Sequence, residues 1–246
     1  MLRLATGITP NFVPRADRFL KSLARFRDVQ STIFAVNFPS IPNFEVNHIQ
    51  SVDYNAATVK LPKFMLQHGG FAQFAPAYWV DEDVIIFTDA DAYLQRNFLP
   101  AEIDSMLSVA EGEMQVGYNR PNDAQTLQHE ATCIFPKKPL PEIYREFPGT
   151  DGMFCRNFGF VVGRLSTWKE LFRRTVALWP KCDACFGNPA RVQWVACYAL
   201  QQPGLRLADL SPVIHAHGHC GLKHGLERRG EEWFQDGKLV AFAHAL

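Results

Sequence analysis

The chain has no charge excess of either sign. Its 25 Lys and Arg balance 25 Asp and Glu over 246 residues, so no net field draws it to nucleic acid or to an anionic membrane. The basic residues are scattered rather than striped. No apolar run approaches the roughly 18 residues that a bilayer span requires. The opening "MLRLATGITP" has one early Arg and no long apolar segment behind it, so it does not read as a signal peptide. A cytoplasmic location is therefore expected, with at most peripheral membrane contact. There is no repeat, low-complexity tract or composition break to separate two domains. The six cysteines, Cys133, Cys155, Cys182, Cys185, Cys197 and Cys220, are expected to be reduced thiols rather than a disulfide framework.

What is present is an ordinary globular composition, 47% apolar and 20% charged, long enough to bury a sizeable core. "LRLATGI" predicts a short buried strand, and "PRADRFLKSLARF" places Phe19, Leu20, Leu23 and Phe26 at helical intervals behind Pro14. "STIFAVNF" and "FEVNHIQ" predict two more strands. A helix is expected from Pro62 through "KFMLQH", and "DVIIFT" reads as a central strand, apolar on both faces. Beyond it, "EMQVGYN", "FGFVVGR" and "LRLADL" predict strands, while "STWKELFRRTVALW" and "VQWVACYAL" predict helices, the first capped by Ser166 or Thr167 with Glu170 near the capping-box position. Residues 121–153 are Pro-rich and are expected to be loop. Strands alternating with helices imply an α/β sheet covered on both faces, whose ligands sit beyond the carboxyl ends of the strands. Trp79, Trp168, Trp179 and Trp194 are expected in the core.

The chemistry concentrates in "VIIFTDADAY". Asp89 and Asp91 follow the apolar strand directly, one residue apart. Uncompensated, two such acids repel and raise each other's pKa. A divalent cation removes the conflict, and oxygen ligands suit Mg²⁺ or Mn²⁺. A metal with few protein ligands keeps positions open for phosphate oxygens, as neutralising a diphosphate leaving group requires. The plainer alternative has Asp89 capping a turn and Asp91 solvated. Near the end of the chain, His215, His217 and His219 alternate, so on a strand they share a face.

These residues resemble the GT-A-fold glycosyltransferases, loosely their family-8-like members. The resemblance rests on "VIIFTDADAYL", "LATGIT", "FCRNFGFVVGRLSTWKELF", "VQWVACYAL" and "VIHAHGH". It implies a single domain with a GT-A-like (Rossmann-like), mixed, mostly parallel sheet flanked by helices. Residues 1–100 would be the nucleotide-sugar half and 101–246 the acceptor half. It further implies a hexosyl-type transfer from a nucleotide-diphosphate sugar, UDP-linked, to a glycan, lipid or protein acceptor. Asp89 and Asp91 would bind Mn²⁺ or Mg²⁺, with one of His215, His217 or His219 as third ligand and Asp89 near the ribose. Thr6, Gly7 and Ile8 would lie against base and ribose, and Lys63 near a phosphate or sugar. Asn157 and Gly159 would border the donor sugar, and Gln193 would sit near the reacting carbon. If the transfer inverts, Asp151 or Asp183 would supply the carboxylate base.

The chain departs from that pattern in two places. Gln193 follows Val192 rather than an acid, and Gly221 stands where His-x-x-Gly-x-x-Lys would put its Lys.

The same residues fit three other readings. "DADAY" also resembles the opening motif of haloacid-dehalogenase-type phosphatases, but that motif ends a first strand, and here about eighty residues precede it. Cys182 and Cys185, with His219 or Cys220, would suit a structural Zn²⁺. A GT-A-like protein that binds nucleotide or glycan without catalysis is the remaining alternative.

Overall fold

The apolar segments pair into one dominant sheet in the structure, a computed structural model. It describes residues 2–25, 29–35, 49–53, 73–74, 83–117, 126–187, 191–217 and 225–244. Strand β1 (Leu2–Ile8) leads into helix α1 (Val13–Arg25), followed by β2 (Val29–Ala35), β3 (Ile49–Asp53) and β4 (Val84–Thr88). After β5 (Ala92–Leu94) come α2 (Pro100–Leu107), β6 (Glu113–Gly117), α3 (Leu127–Cys133) and α4 (Leu140–Glu146). Then β7 (Asn157–Arg164), α5 (Leu165–Cys185), α6 (Arg191–Leu200) and β8 (Arg206–Asp209) complete the main layer. The tail adds β9 (His215–His217), β10 (Leu226–Arg229), β11 (Glu232–Gln235), β12 (Lys238–Leu239) and β13 (Phe242–His244).

The main sheet has seven strands in the order β3-β2-β1-β4-β7-β6-β8. Only β7 runs antiparallel to its neighbours. The first three strands build outward from β1 on one side, and β4 returns to its other side. That reversal between β1 and β4 opens a crevice at the carboxyl ends of the parallel strands. Because β7 is reversed, its amino end, Asn157–Gly159, lies on that same rim.

Apolar strands of this kind are covered on both faces. One face packs Ile85, Phe87, Val161, Trp168 and Trp194, and the other packs Leu4, Phe19, Ile86, Phe160 and Phe242. Trp168, Trp179 and Trp194 are all buried, as expected; Trp79 lies outside the described residues. No described helix is long and apolar enough to cross a membrane.

Two local expectations are overturned. Residues 121–153, expected to be loop, contain α3 and α4. Thr126 caps α3 by accepting a hydrogen bond from the His129 N–H at 3.1 Å. Pro139 is the N-cap of α4 and Pro141 lies in its first turn, where a missing N–H costs nothing. Proline density signalled a helix start there rather than its absence. Helix α5, in turn, has no side-chain cap: it starts at Leu165 after Arg164. Ser166 bonds to Glu111 and Thr167 accepts from the Gly112 N–H. The helix also runs through Pro180 to Cys185, with Trp179, Cys182 and Cys185 all buried on its inner side. The predicted helix after Pro62 lies outside the described residues.

Candidate active site

The two acids converge because the chain turns between them. The Ala92 N–H donates to the Asp89 carbonyl at 3.3 Å, closing a turn through Ala90 and Asp91. Ala90 is buried in that turn with Ile8, Ala16 and Ile33, and the two carboxyls come together. The Asp89 N–H donates to the Gly159 carbonyl at 2.9 Å, and the Thr88 hydroxyl donates to that same oxygen at 3.1 Å. The end of β4 is thus fixed to the rim of β7.

A third residue joins them from the far end of the chain. The β5 strand that leaves Asp91 pairs antiparallel with β13, so His244 stands opposite Ala92. Gln95 bonds to the backbone of Trp233 and Val240, and Arg96 bonds to the Leu239 carbonyl. These contacts clamp the tail beside β5. The His244 Nε2 lies 2.8 Å from an Asp91 carboxylate oxygen. One ligand atom each from Asp89, Asp91 and His244 falls within 4.8 Å of the others. This is the one such His, Cys, Asp or Glu group among the described residues.

The electrostatics describe a site poised for a cation. Burial, against a lowering contribution from His244 and with a further raising one from Asp91, pushes the Asp89 carboxyl up to about 6. Burial of His244 opposes its protonation, but the hydrogen bond to Asp91 and the charges of both acids outweigh it and raise its pKa. Two carboxylate oxygens and one imidazole nitrogen fit Mn²⁺ or Mg²⁺.

Among the described histidines, it is His244 rather than His215 that joins the two acids. His215 is buried one strand further along, stacked on Phe160 at 5.6 Å, with its ring centroid 6.1 Å from that of His244. His217 pairs with His244 in the β9–β13 register; its side chain, His219 and Lys63 lie outside the described residues. His244 ends the short, buried strand Phe242–His244.

The other expected residues divide into rim and periphery. Thr6, Gly7 and Ile8 end β1 at the crevice. Asn157 accepts from the Gly159 N–H at 2.6 Å through its Oδ1. Gly159 makes contacts that leave no room for a side chain: a Cβ there would stand 2.5 Å from Asn157 Oδ1 and 2.6 Å from His244 Nδ1. Gln193 accepts from the Phe158 N–H at 3.2 Å, and its amide also bonds to the Cys155 thiol. Asp151 occupies an exposed turn before β7 and is not part of the Asp89 group. Asp183 pairs with Arg191 at 2.7 Å. The cysteines of the proposed zinc set, Cys182 and Cys185, are buried on α5.

Gln193 belongs to a wider arrangement that sequence reading missed. Gln193 and Cys197 on α6, with Gln201 one residue past its end, form one stripe spaced by four. They accept in turn from the N–H groups of Phe158, Arg156 and Phe154, at 3.2, 3.3 and 2.8 Å. Four residues of helix rise about 6 Å and two residues of strand about 6.6 Å, so the two ladders stay in step. A helix face thereby serves the segment entering β7 as a partner strand would.

The strand order, the reversed β7 and the acids that follow β4 are those of a GT-A-like fold. Solved structures of that fold match over the whole chain. An active-site mutant of LgtC aligns with a TM-score of 0.59 at 10% identity, covering 99% of this chain and 87% of that one. Galactosyltransferase LgtC in complex with donor and acceptor sugar analogues aligns at 0.58 and 10%, with the same coverage. Mouse xyloside xylosyltransferase 1, in its apo form, aligns at 0.58 and 14%, covering 99% and 96%. No protein-family model and no curated protein matches the sequence.

Proposed function

We propose that this chain is a metal-dependent glycosyltransferase, moving a sugar from a UDP-sugar to a glycan, lipid or protein acceptor. The observation that carries the reading is the Asp89–Asp91–His244 group, held at the β1/β4 crevice of a GT-A fold. Asp89, Asp91 and His244 would hold Mn²⁺ or Mg²⁺, which supplies neutralisation of the charge that develops on a leaving diphosphate. The end of β1, Thr6 to Ile8, would flank base and ribose. Asn157 and Gly159, on the facing rim, would border the donor sugar. Gln193 holds β7 through Phe158 and so sets where that border stands.

The likeness to the galactosyltransferase LgtC, one of whose structures carries donor and acceptor sugar analogues, supports transfer from a sugar donor to a sugar acceptor. The test is to incubate the protein with Mn²⁺ and a panel of UDP- and GDP-sugars and to follow release of nucleoside diphosphate. The reading fails if no sugar nucleotide is bound or cleaved, or if Asp91→Asn leaves turnover unchanged.

A further inference from the structure

The segment that enters β7 carries a feature with no part in the cation site. Phe154 is 39% exposed, although both of its backbone groups are held by one side chain. The Phe154 N–H donates to Gln201 Oε1 at 2.8 Å, and Gln201 Nε2 donates to the Phe154 carbonyl at 2.7 Å. The ring is fixed from behind as well. The Arg156 guanidinium lies 4.9 Å from its centroid, and Arg156 Nε donates to Asp209 at 2.8 Å. The Arg156 side chain is almost wholly buried, whereas 46% of the Asp209 side chain remains accessible. Asp209 ends β8 beside Val116 of β6, on the rim where Asp89 ends β4.

We propose that Phe154 and Asp209 form a binding subsite for a neutral pyranose of the acceptor, separate from the point of transfer. The proposal rests on the glycosyltransferase reading for the ligand's role, but not for its chemistry. A pre-fixed aromatic offers apolar area without losing rotamer freedom on binding, and it suits the C–H face of a pyranose. A carboxylate held by a buried arginine accepts hydrogen bonds from neighbouring sugar hydroxyls. Gln201, one residue past the end of α6, lies eight residues from Gln193, about 12 Å along the helix axis. The subsite therefore takes a sugar beyond the one that receives the transferred residue.

Saturation-transfer NMR with cellobiose, lactose and maltose, one at a time at millimolar concentration, tests this directly. The wild-type protein is expected to bind at least one of them. Phe154→Leu, which keeps volume but removes the aromatic face, should weaken that binding about tenfold. Phe154→Tyr should retain it, and Asp209→Asn should weaken it. Mn²⁺ affinity and acceptor-independent cleavage of UDP-sugar should be unchanged in all three variants. The proposal is overturned if wild type binds none of the disaccharides, or if Phe154→Leu binds as wild type does. Disaccharide binding that depends on Phe154 in a protein without UDP-sugar cleavage would instead defeat the glycosyltransferase reading and leave the subsite standing.

Discussion

Gly159 and His244 touch: a Cβ on the glycine would stand 2.6 Å from the imidazole Nδ1. The backbone of β7 therefore sets the depth at which His244 faces Asp91. Gly159→Ala must displace His244, Asn157 or the strand itself. Overpacking of this kind costs about 1–3 kcal/mol, and in a chain of this size each kcal/mol lowers Tm by roughly 2–4 °C. Mn²⁺ affinity should fall about tenfold in parallel, measured by calorimetry. An alanine variant with unaltered Tm and unaltered Mn²⁺ binding would show that the contact does not constrain the site.

Asp91 and His244 make a second pair, 2.8 Å apart, and removing either member has a different result. Asp91→Asn removes a charged oxygen ligand, and transfer should fall by about 10²–10³-fold, the scale for losing one electrostatic stabiliser of a developing anion. His244→Ala removes the proposed nitrogen ligand, the imidazole that faces both acids among the described residues. Mn²⁺ binding should weaken at least about tenfold, while the apo protein should see the repulsion between Asp89 and Asp91 uncovered. Isothermal titration with Mn²⁺ on both variants checks the order. Equal affinity of His244→Ala and wild type would exclude His244 as a ligand.

The direction of the pH dependence follows from Asp89. Its folded pKa of about 6 lies above the ordinary 3.8, so its contribution to apo stability is present below pH 4 and is lost as pH rises through about 6. A cation needs the opposite, ionised form. Below pH 6 the proton competes, and Mn²⁺ affinity should fall by up to about tenfold per pH unit, with proton release on binding. His244 adds in the same direction, because its raised pKa holds a proton where the cation would bond. Titrations at pH 5, 6, 7 and 8 should therefore reach a plateau at the alkaline end. Affinity that stays flat across this range would mean that Asp89 is not a ligand.

The strand that ends at Asp89 was legible because burial on both faces leaves a continuous apolar run, and the acids break it abruptly. The strand Asn157–Arg164 was legible through "FGFVVGR" for the same reason. His244 was not, because its place depends on a pairing between residues about 150 positions apart, Ala92 with His244. Local sequence contains no trace of that pairing, and three alternating histidines drew attention to the neighbouring strand instead. Helix α4 was hidden by prolines that sit at its start. The cap expected at Ser166 failed because tertiary partners, Glu111 and the Gly112 N–H, took both hydroxyls. Gln193 drew attention as a residue for chemistry, whereas its visible bonds are to the Phe158 N–H and the Cys155 thiol.

Those bonds make the α6 stripe testable rung by rung. Phe158 is buried, so Gln193→Leu leaves its N–H without an acceptor in a place water does not reach, at a cost of about 1–3 kcal/mol. Gln201 serves Phe154 at an exposed position, where water replaces the lost partner, and Gln201→Leu should cost well under half as much. Gln193→Glu keeps an acceptor for Phe158 and should restore most of the stability. Urea unfolding of the three variants, compared at constant m, ranks them. If Gln193→Leu is no less stable than Gln201→Leu, the helix face is not acting as the partner of β7. If Gln193→Glu is stable yet impaired in UDP-sugar cleavage, Gln193 contributes at the donor beyond its hold on Phe158.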